Sequence, residues 1–466
     1  RRGGDLLMVL TGVAIALACL SLSAESLHGI FNPSAALFPF LLLVFLCWSV
    51  ACGDAGLLPA AVLAASFVVQ CHLGYVAPAA GMLLVAGGGL ALTRRRARAG
   101  GSGPRSLRRL LAATAVVALV CWSLPLAEEA THHPGNMTVL AREVVTHQQT
   151  EGATKGWRVL VRTVGLPPRW LRAPTANAGR LSDMSGGDYG DTRVGDLTAV
   201  PTLAARVSTA VIIGALVLIA LVAARRRRFE IAIAAAISFV LCAALAWEVA
   251  ATPLKATNTL GYFLWWDSFA GMWVWLVLLW STVALSAGAR RFALRVPAVA
   301  SVAAIVVVAG AGVAAASVQK PDKHAPYYRP ARLLAAGLDR AVQPGTSVRL
   351  VQRGGPMVAI EPTIRWTLRR HGVRALGPYA SHRPGAWYEL DHRSYRYVVS
   401  VNADRPPHYR PWRVVARTEM TDARGRHRLT ATLSPASAQS DRSIRKNAHT
   451  ARAADIPGWP NPPGHS

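Results

Sequence analysis

Apolar residues along this chain come in long blocks instead of a regular alternation. Nine blocks approach or reach the ~20 residues that a bilayer-spanning helix needs: 5–23, 35–51, 57–72, 76–92, 110–126, 203–223, 229–250, 268–285 and 296–318, with 57–72 the shortest. The connections between them are of two kinds. Those at 94–109, 225–228 and 290–295 are short and hold little but Arg, Gly, Ser and Ala, whereas the others carry the His, Asn, Trp, Tyr and Pro clusters. From about residue 329 the pattern shortens: a helix over 330–341, a strand at 347–352, a helix over 360–371, and strands near 373, at 395–401 and at 412–418. The expected fold class is an α-helical polytopic membrane protein of about nine transmembrane helices, residues 1–318, with a small C-terminal extracytoplasmic α/β domain over 319–434. The Ser-, Ala-, Pro- and Arg-rich stretch 435–466 reads as a disordered tail.

The three Arg-rich loops are separated by even numbers of blocks, so all three can lie on one side of a membrane, and the positive-inside bias makes that side cytoplasmic. Arg1-Arg2 falls on the same side. Four connections then face outward: 24–34, the turn at 73–75, the long loop 127–202, and 252–267. The segment from 319 onward is outward too, and any chemistry is expected there, in loops held by a rigid scaffold. The expected location is a cell membrane crossed many times.

Composition agrees with this layout. Hydrophobic residues make up 52% of the chain and mean hydropathy is +0.30, too apolar for a soluble protein with 16% charged residues. A net charge of +27 raises nucleic acid as a partner, but Arg94-Arg95-Arg96 with Arg98, and Arg225 to Arg228, sit at the ends of apolar blocks, where orientation signals belong. No nucleic-acid partner is expected, and the lipid bilayer is. Only Lys155, Lys255, Lys320, Lys323 and Lys446 among the 51 basic residues are lysine, a bias typical of a GC-rich bacterial genome. All six cysteines fall in or beside apolar blocks, so neither a disulfide framework nor a metal spacing is expected, and no cofactor or metal is implied. The chain opens Arg1-Arg2-Gly3-Gly4 without Met, and further sequence upstream is expected.

The outward connections hold the candidate chemistry. After the fifth block come Glu128-Glu129 and Thr131-His132-His133-Pro134-Gly135-Asn136. Two carboxylates and two imidazoles at a helix exit suit a general base and phosphate recognition, or equally a polar cap that stops the helix, with Pro134-Gly135 as a turn. Residues 137–147 have the spacing of a helix lying in the interface plane. Gln70 and His72 lie near membrane depth beside Tyr75, where polar groups must face protein or water; a packing hydrogen bond also explains them. Asn32-Pro33 and Glu25 lie in the first outward loop. Lys255 is a cation well placed for a lipid-linked phosphate, or a snorkelling anchor, and Trp265-Trp266 suit an interfacial aromatic belt.

Taken in order, Asn32-Pro33, Trp48-Ser49-Val50-Ala51-Cys52-Gly53-Asp54, Gln70, His72, Gly74-Tyr75, Trp122, Pro125 and Pro134-Gly135-Asn136 resemble a group of bacterial, largely actinobacterial, multispanning proteins of the glycosyltransferase C superfold type. Tyr327-Tyr328-Arg329-Pro330 and Leu390-Asp391-His392-Arg393 are similar to that group as well. Phe31 stands where the pattern has Trp, and Glu129 where it has Gln. The resemblance implies a membrane enzyme that transfers sugar from a polyprenyl-phosphate donor to a cell-envelope acceptor at the extracytoplasmic face. Its catalytic acid would lie in the first outward loop, for which Glu25 is the stand-in, or upstream of residue 1. Glu129 and Glu128 are the further catalytic candidates. Asn32, Gln70, His72, Tyr75, His132, His133, Asn136 and Lys255 are the substrate-binding candidates. A transporter or flippase of lipid-linked sugars, and a non-catalytic envelope protein, are the alternatives.

Overall fold

A computed structural model describes residues 4–22, 32–99, 107–132, 134–145, 149–171, 199–254, 260, 264–286, 325–353, 357–376, 395–404, 412–422 and 425–435. They fall into two compact units, one helical and one α/β.

The helical unit contains α1 (Gly4–Ser21), α2 (Asn32–Ala51), α3 (Leu58–Cys71), α4 (Val76–Ala99) and α5 (Leu107–Thr131). After them come α6 (Asn136–Val145), α7 (Gly152–Val164), α8 (Leu203–Arg225), α9 (Phe229–Ala251) and α10 (Asp267–Leu285). Six helices, α2, α4, α5, α8, α9 and α10, are long and apolar enough to cross a membrane, and α1 and α3 are shorter apolar helices. The protein is therefore a polytopic helical protein with a small C-terminal sheet. Each helix satisfies its own backbone hydrogen bonds, which is why an apolar block of this length becomes a helix whatever surrounds it. The expected ninth block, 296–318, lies outside the described residues, as does the tail from 436.

Contacts between helix ends fix how the bundle alternates. The Arg96 guanidinium lies 3.5 Å over the Phe229 ring. Arg226 Nη1 donates to the Leu285 carbonyl at 2.7 Å, and Trp48 Nε1 donates to the Glu230 carbonyl at 2.8 Å. These contacts gather the ends of α2, α4, α8 and α10 and the start of α9 at one pole, the pole of the Arg94–Arg98 and Arg225–Arg228 clusters. At the other pole Tyr75 Oη donates to the Pro33 carbonyl at 3.0 Å, and Phe40 packs on both Tyr75 and Trp266 with ring centroids 5.2 and 5.4 Å away. Between the poles, Trp48 meets Trp273 and Trp280 edge-on, and Phe45 meets Trp273 the same way. Such pairings add to the burial of large rings.

The long loop 127–202 holds two helices. Helix α6 begins at Asn136, inside the stretch whose spacing suggests an interfacial helix, and Met137, Val139 and Leu140 on it are exposed. Helix α7 is not evident from the hydropathy pattern. It is inset between α8, α9 and α10: Gly156 sits against the Ala246 carbonyl with no room for a side chain, the Thr209 hydroxyl reaches the Val161 carbonyl, and Trp275 Nε1 donates to the Val164 carbonyl at 2.9 Å.

The α/β unit runs α11 (Ala325–Ala341), β1 (Ser347–Arg353), α12 (Met357–Arg370), β2 (Arg374–Leu376), β3 (Tyr397–Ala403), β4 (Arg413–Asp422) and β5 (Gly425–Pro435). Its sheet has the order β2-β1-β3-β5-β4. Strand β1 is parallel to β2 and β3, while β5 is antiparallel to β3 and β4. Leu334, Leu338, Ile364 and Leu368 of the helices share a core with Leu350, Val399, Val401, Leu429 and Leu433 of the strands. Strand β5 is the element the sequence pattern does not announce. Its inward residues Leu429, Ala431 and Leu433 alternate correctly, but the Arg, His and Thr between them resemble a surface loop.

Candidate functional site

Most of the chemistry-bearing residues expected from sequence lie at the pole opposite the arginine clusters. Asn32 opens α2 and is exposed. Gln70 Nε2 donates to the Cys121 carbonyl at 2.9 Å and His72 Nδ1 accepts from the Gly74 amide at 3.0 Å, so these two side chains tie α3 to α5 and cap the turn into α4. Tyr75 is fully buried and tethers α4 to α2 through Pro33. Glu25, His133 and Lys255 lie outside the described residues.

Glu128, Glu129, His132 and Asn136 come together around the turn that leaves α5. Glu128 accepts from the Asn136 amide at 3.0 Å. Glu129 accepts from the Met137 and Thr138 amides at 2.8 and 3.2 Å and from the Thr138 hydroxyl. The amides of α6's first turn have no intrahelical partner and point along the positive end of the helix dipole, so two carboxylates placed there cap it. Gly135 is fixed by the same contact, because a Cβ on it would run into Glu129. His132 Nδ1 lies 3.0 Å from the Thr131 hydroxyl and 3.3 Å from the Glu128 carbonyl.

A second group at this pole escapes sequence reasoning. Glu151, Lys155, Arg158 and Arg162 follow one another at spacings of four, three and four, which puts them on one face of α7. The face is only partly open. Glu151 is buried and pairs with Lys155, while Lys155, Arg158 and Arg162 are half-buried. Arg158 has no carboxylate partner among the described residues. Beyond α7 the chain turns, and Arg169 Nε meets the fully buried Asp267 at 3.3 Å. Removing two charges from water costs several kcal/mol per ion before their attraction is counted, so neither site is an ordinary surface.

Glu248 lies beside the Trp266 indole, and Tyr75 is close to both Glu248 and Asp267. Glu248 Oε2, Trp266 Nε1, the Thr163 hydroxyl and Trp170 Nε1 are all buried polar atoms, the last two packed around Gly271. Burying such groups costs ~1–3 kcal/mol where a partner is missing. The signal available in sequence was the charged 4-3-4 spacing in the middle of a loop; Glu248 and Trp266 gave none, because one lies near the end of an apolar block and the other in an aromatic cluster.

No family model, curated protein or solved structure matches this chain.

Proposed function

We propose that this chain is an integral membrane glycosyltransferase-like protein that transfers a sugar from a polyprenyl-phosphate donor to a cell-envelope acceptor. The pole away from the arginine clusters is the reacting one, and the positive-inside bias puts it on the extracytoplasmic face. The half-buried charged face of α7 carries this reading: three cations on a helix inset among apolar helices suit a phosphate whose lipid tail stays in the bilayer.

In such a transfer the acceptor hydroxyl oxygen bonds to the anomeric carbon. The bond from that carbon to the phosphate oxygen breaks, and polyprenyl phosphate leaves with the electron pair. A carboxylate takes the hydroxyl proton, and cations stabilise the departing phosphate. Arg158, Arg162 and Lys155 fill the second role. Glu248, with a carboxylate oxygen buried beside the Trp266 indole, fills the first, and Glu129 is the competing carboxylate.

Purified protein in proteoliposomes, supplied with a labelled polyprenyl-phosphate sugar, tests this. Replacing Arg158 and Arg162 together with Ala is expected to slow sugar transfer by ~100-fold or more. Loss of transfer in Glu248→Gln with retention in Glu129→Gln assigns the base to Glu248, and the reverse assigns it to Glu129. A carboxylate buried about one turn inside α9 also suits a flippase of lipid-linked sugars. In that case the labelled donor crosses the bilayer uncleaved. A protein that neither cleaves nor moves any such donor is not an enzyme or transporter of lipid-linked sugars.

A further inference from the structure

The α/β unit is strongly asymmetric. On the side of α11 and α12 that faces the sheet, Leu334, Leu338, Ile364 and Leu368 are completely buried. Their other side carries Arg329, Arg332 and Arg340 from α11 and Arg369 and Arg370 from α12, all exposed. None of these five arginines pairs with a carboxylate among the described residues, and Asp339 is engaged by His371 at 3.0 Å. Large apolar side chains stand among the cations. Trp366 is 61% exposed, Tyr328 52% and Leu333 46%, and the Arg370 guanidinium lies 5.3 Å from the Trp366 ring.

Each half of this pattern narrows the partner. Five exposed arginines attract any polyanion. An exposed indole, a phenol and a leucine interleaved with them would be wasted on a fully hydrated polyanion, but they fit a bilayer surface, where Trp and Tyr rest at headgroup level and Arg reaches phosphate. Chain connectivity points the same way. In sequence, only a tether of six residues, 319–324, separates the last apolar block from α11.

We propose that the outer face of α11 and α12 is a docking surface for anionic phospholipid headgroups, which seats the α/β unit on the membrane that carries the chain. Docking depends on charge and on Trp366 together, and it does not depend on what the other unit catalyses.

The full chain in lipid nanodiscs provides the test. Emission from Trp366 is isolated as the difference between the unaltered protein and Trp366→Phe. With bromine-labelled acyl chains, that emission is expected to be lost in phosphatidylglycerol discs and kept in phosphatidylcholine discs. The combined Arg332→Glu, Arg369→Glu and Arg370→Glu variant is expected to keep it in both. High salt added to the unaltered protein should restore the emission as well, which covers the case of a variant that misfolds. Unchanged emission in phosphatidylglycerol overturns the proposal. So does equal loss in both lipids, which would assign the contact to the tether alone. Slower amide exchange over α11 and α12 with a soluble polyanion such as heparin, but not with phosphatidylglycerol discs, would give the surface to another partner.

Discussion

At the scale of single residues, the same side-chain chemistry does different work at the two ends of the chain. Glu129 spends its oxygens on the first turn of α6, so Glu129→Gln should weaken that cap by ~1 kcal/mol, read as faster amide exchange over residues 136–145. Asp404 ends β3 in a left-handed conformation, with φ of 55°. It accepts from His427 Nδ1 at 2.6 Å and from the Arg428 amide at 2.7 Å. The His427 hydrogen bond, more than the amide, holds its carboxyl below the usual range. A carboxyl with a depressed value in the folded state takes up its proton at lower pH than in the unfolded chain. Its stabilisation is therefore present above the ordinary carboxylate range, near pH 4, and is lost as pH falls through the depressed value. Acid titration followed by amide exchange over β5 should show that loss. Asp404→Asn, which tolerates the same backbone conformation, should flatten it. The Glu128-Glu129 and His132 cluster was legible in sequence as chemistry or as a cap. Choosing between them needed the position of α6, which no local pattern supplies.

At the scale of elements, α7 decides where the charged face lies. Glycine is a poor helix former, and exchanging Gly156 for Ala in an isolated helix should stabilise it by ~1 kcal/mol. Here the added methyl meets the Ala246 carbonyl of α9, and backbone does not give way as a flexible side chain would. Gly156→Ala is thus expected to destabilise the protein by ~1–3 kcal/mol, seen as a lower melting temperature in detergent. A rise instead would mean that α7 is not clamped against α9. Helix α7 escaped sequence analysis because a helix of 13 residues is too short to read as a span, and its cations resemble any solvated loop. Strand β5 escaped for a related reason: about half of its residues are polar, Thr432 and Ser434 buried among them, and only its pairing with β3 and β4 makes Leu429, Ala431 and Leu433 an interior row.

At the scale of the whole molecule, alternation is the organising fact. In the helical unit, helix ends rich in Arg meet at one pole, and Tyr75, Arg169 and Asp267 stand toward the other. Single cysteines introduced at Asn32 and at Arg227, both exposed, should react with an impermeant thiol reagent from opposite sides of a sealed membrane vesicle. Labelling from the same side would break the two-pole arrangement and the proposed function with it. The sequence alone determined the polytopic helical class, the positions of the long helices among the described residues and the existence of a separate α/β unit. These are local properties: a helix in an apolar medium satisfies its own backbone, and a block of hydropathy reports it without reference to any neighbour. The tertiary structure alone decided which polar residues stand together. Arg169 reaches Asp267 across 98 positions of sequence, and Trp275 reaches Val164 across 111. Burial of a charge depends on what packs around it, so Glu248, Trp266 and the face of α7 became a candidate site only when helices distant in sequence closed over them.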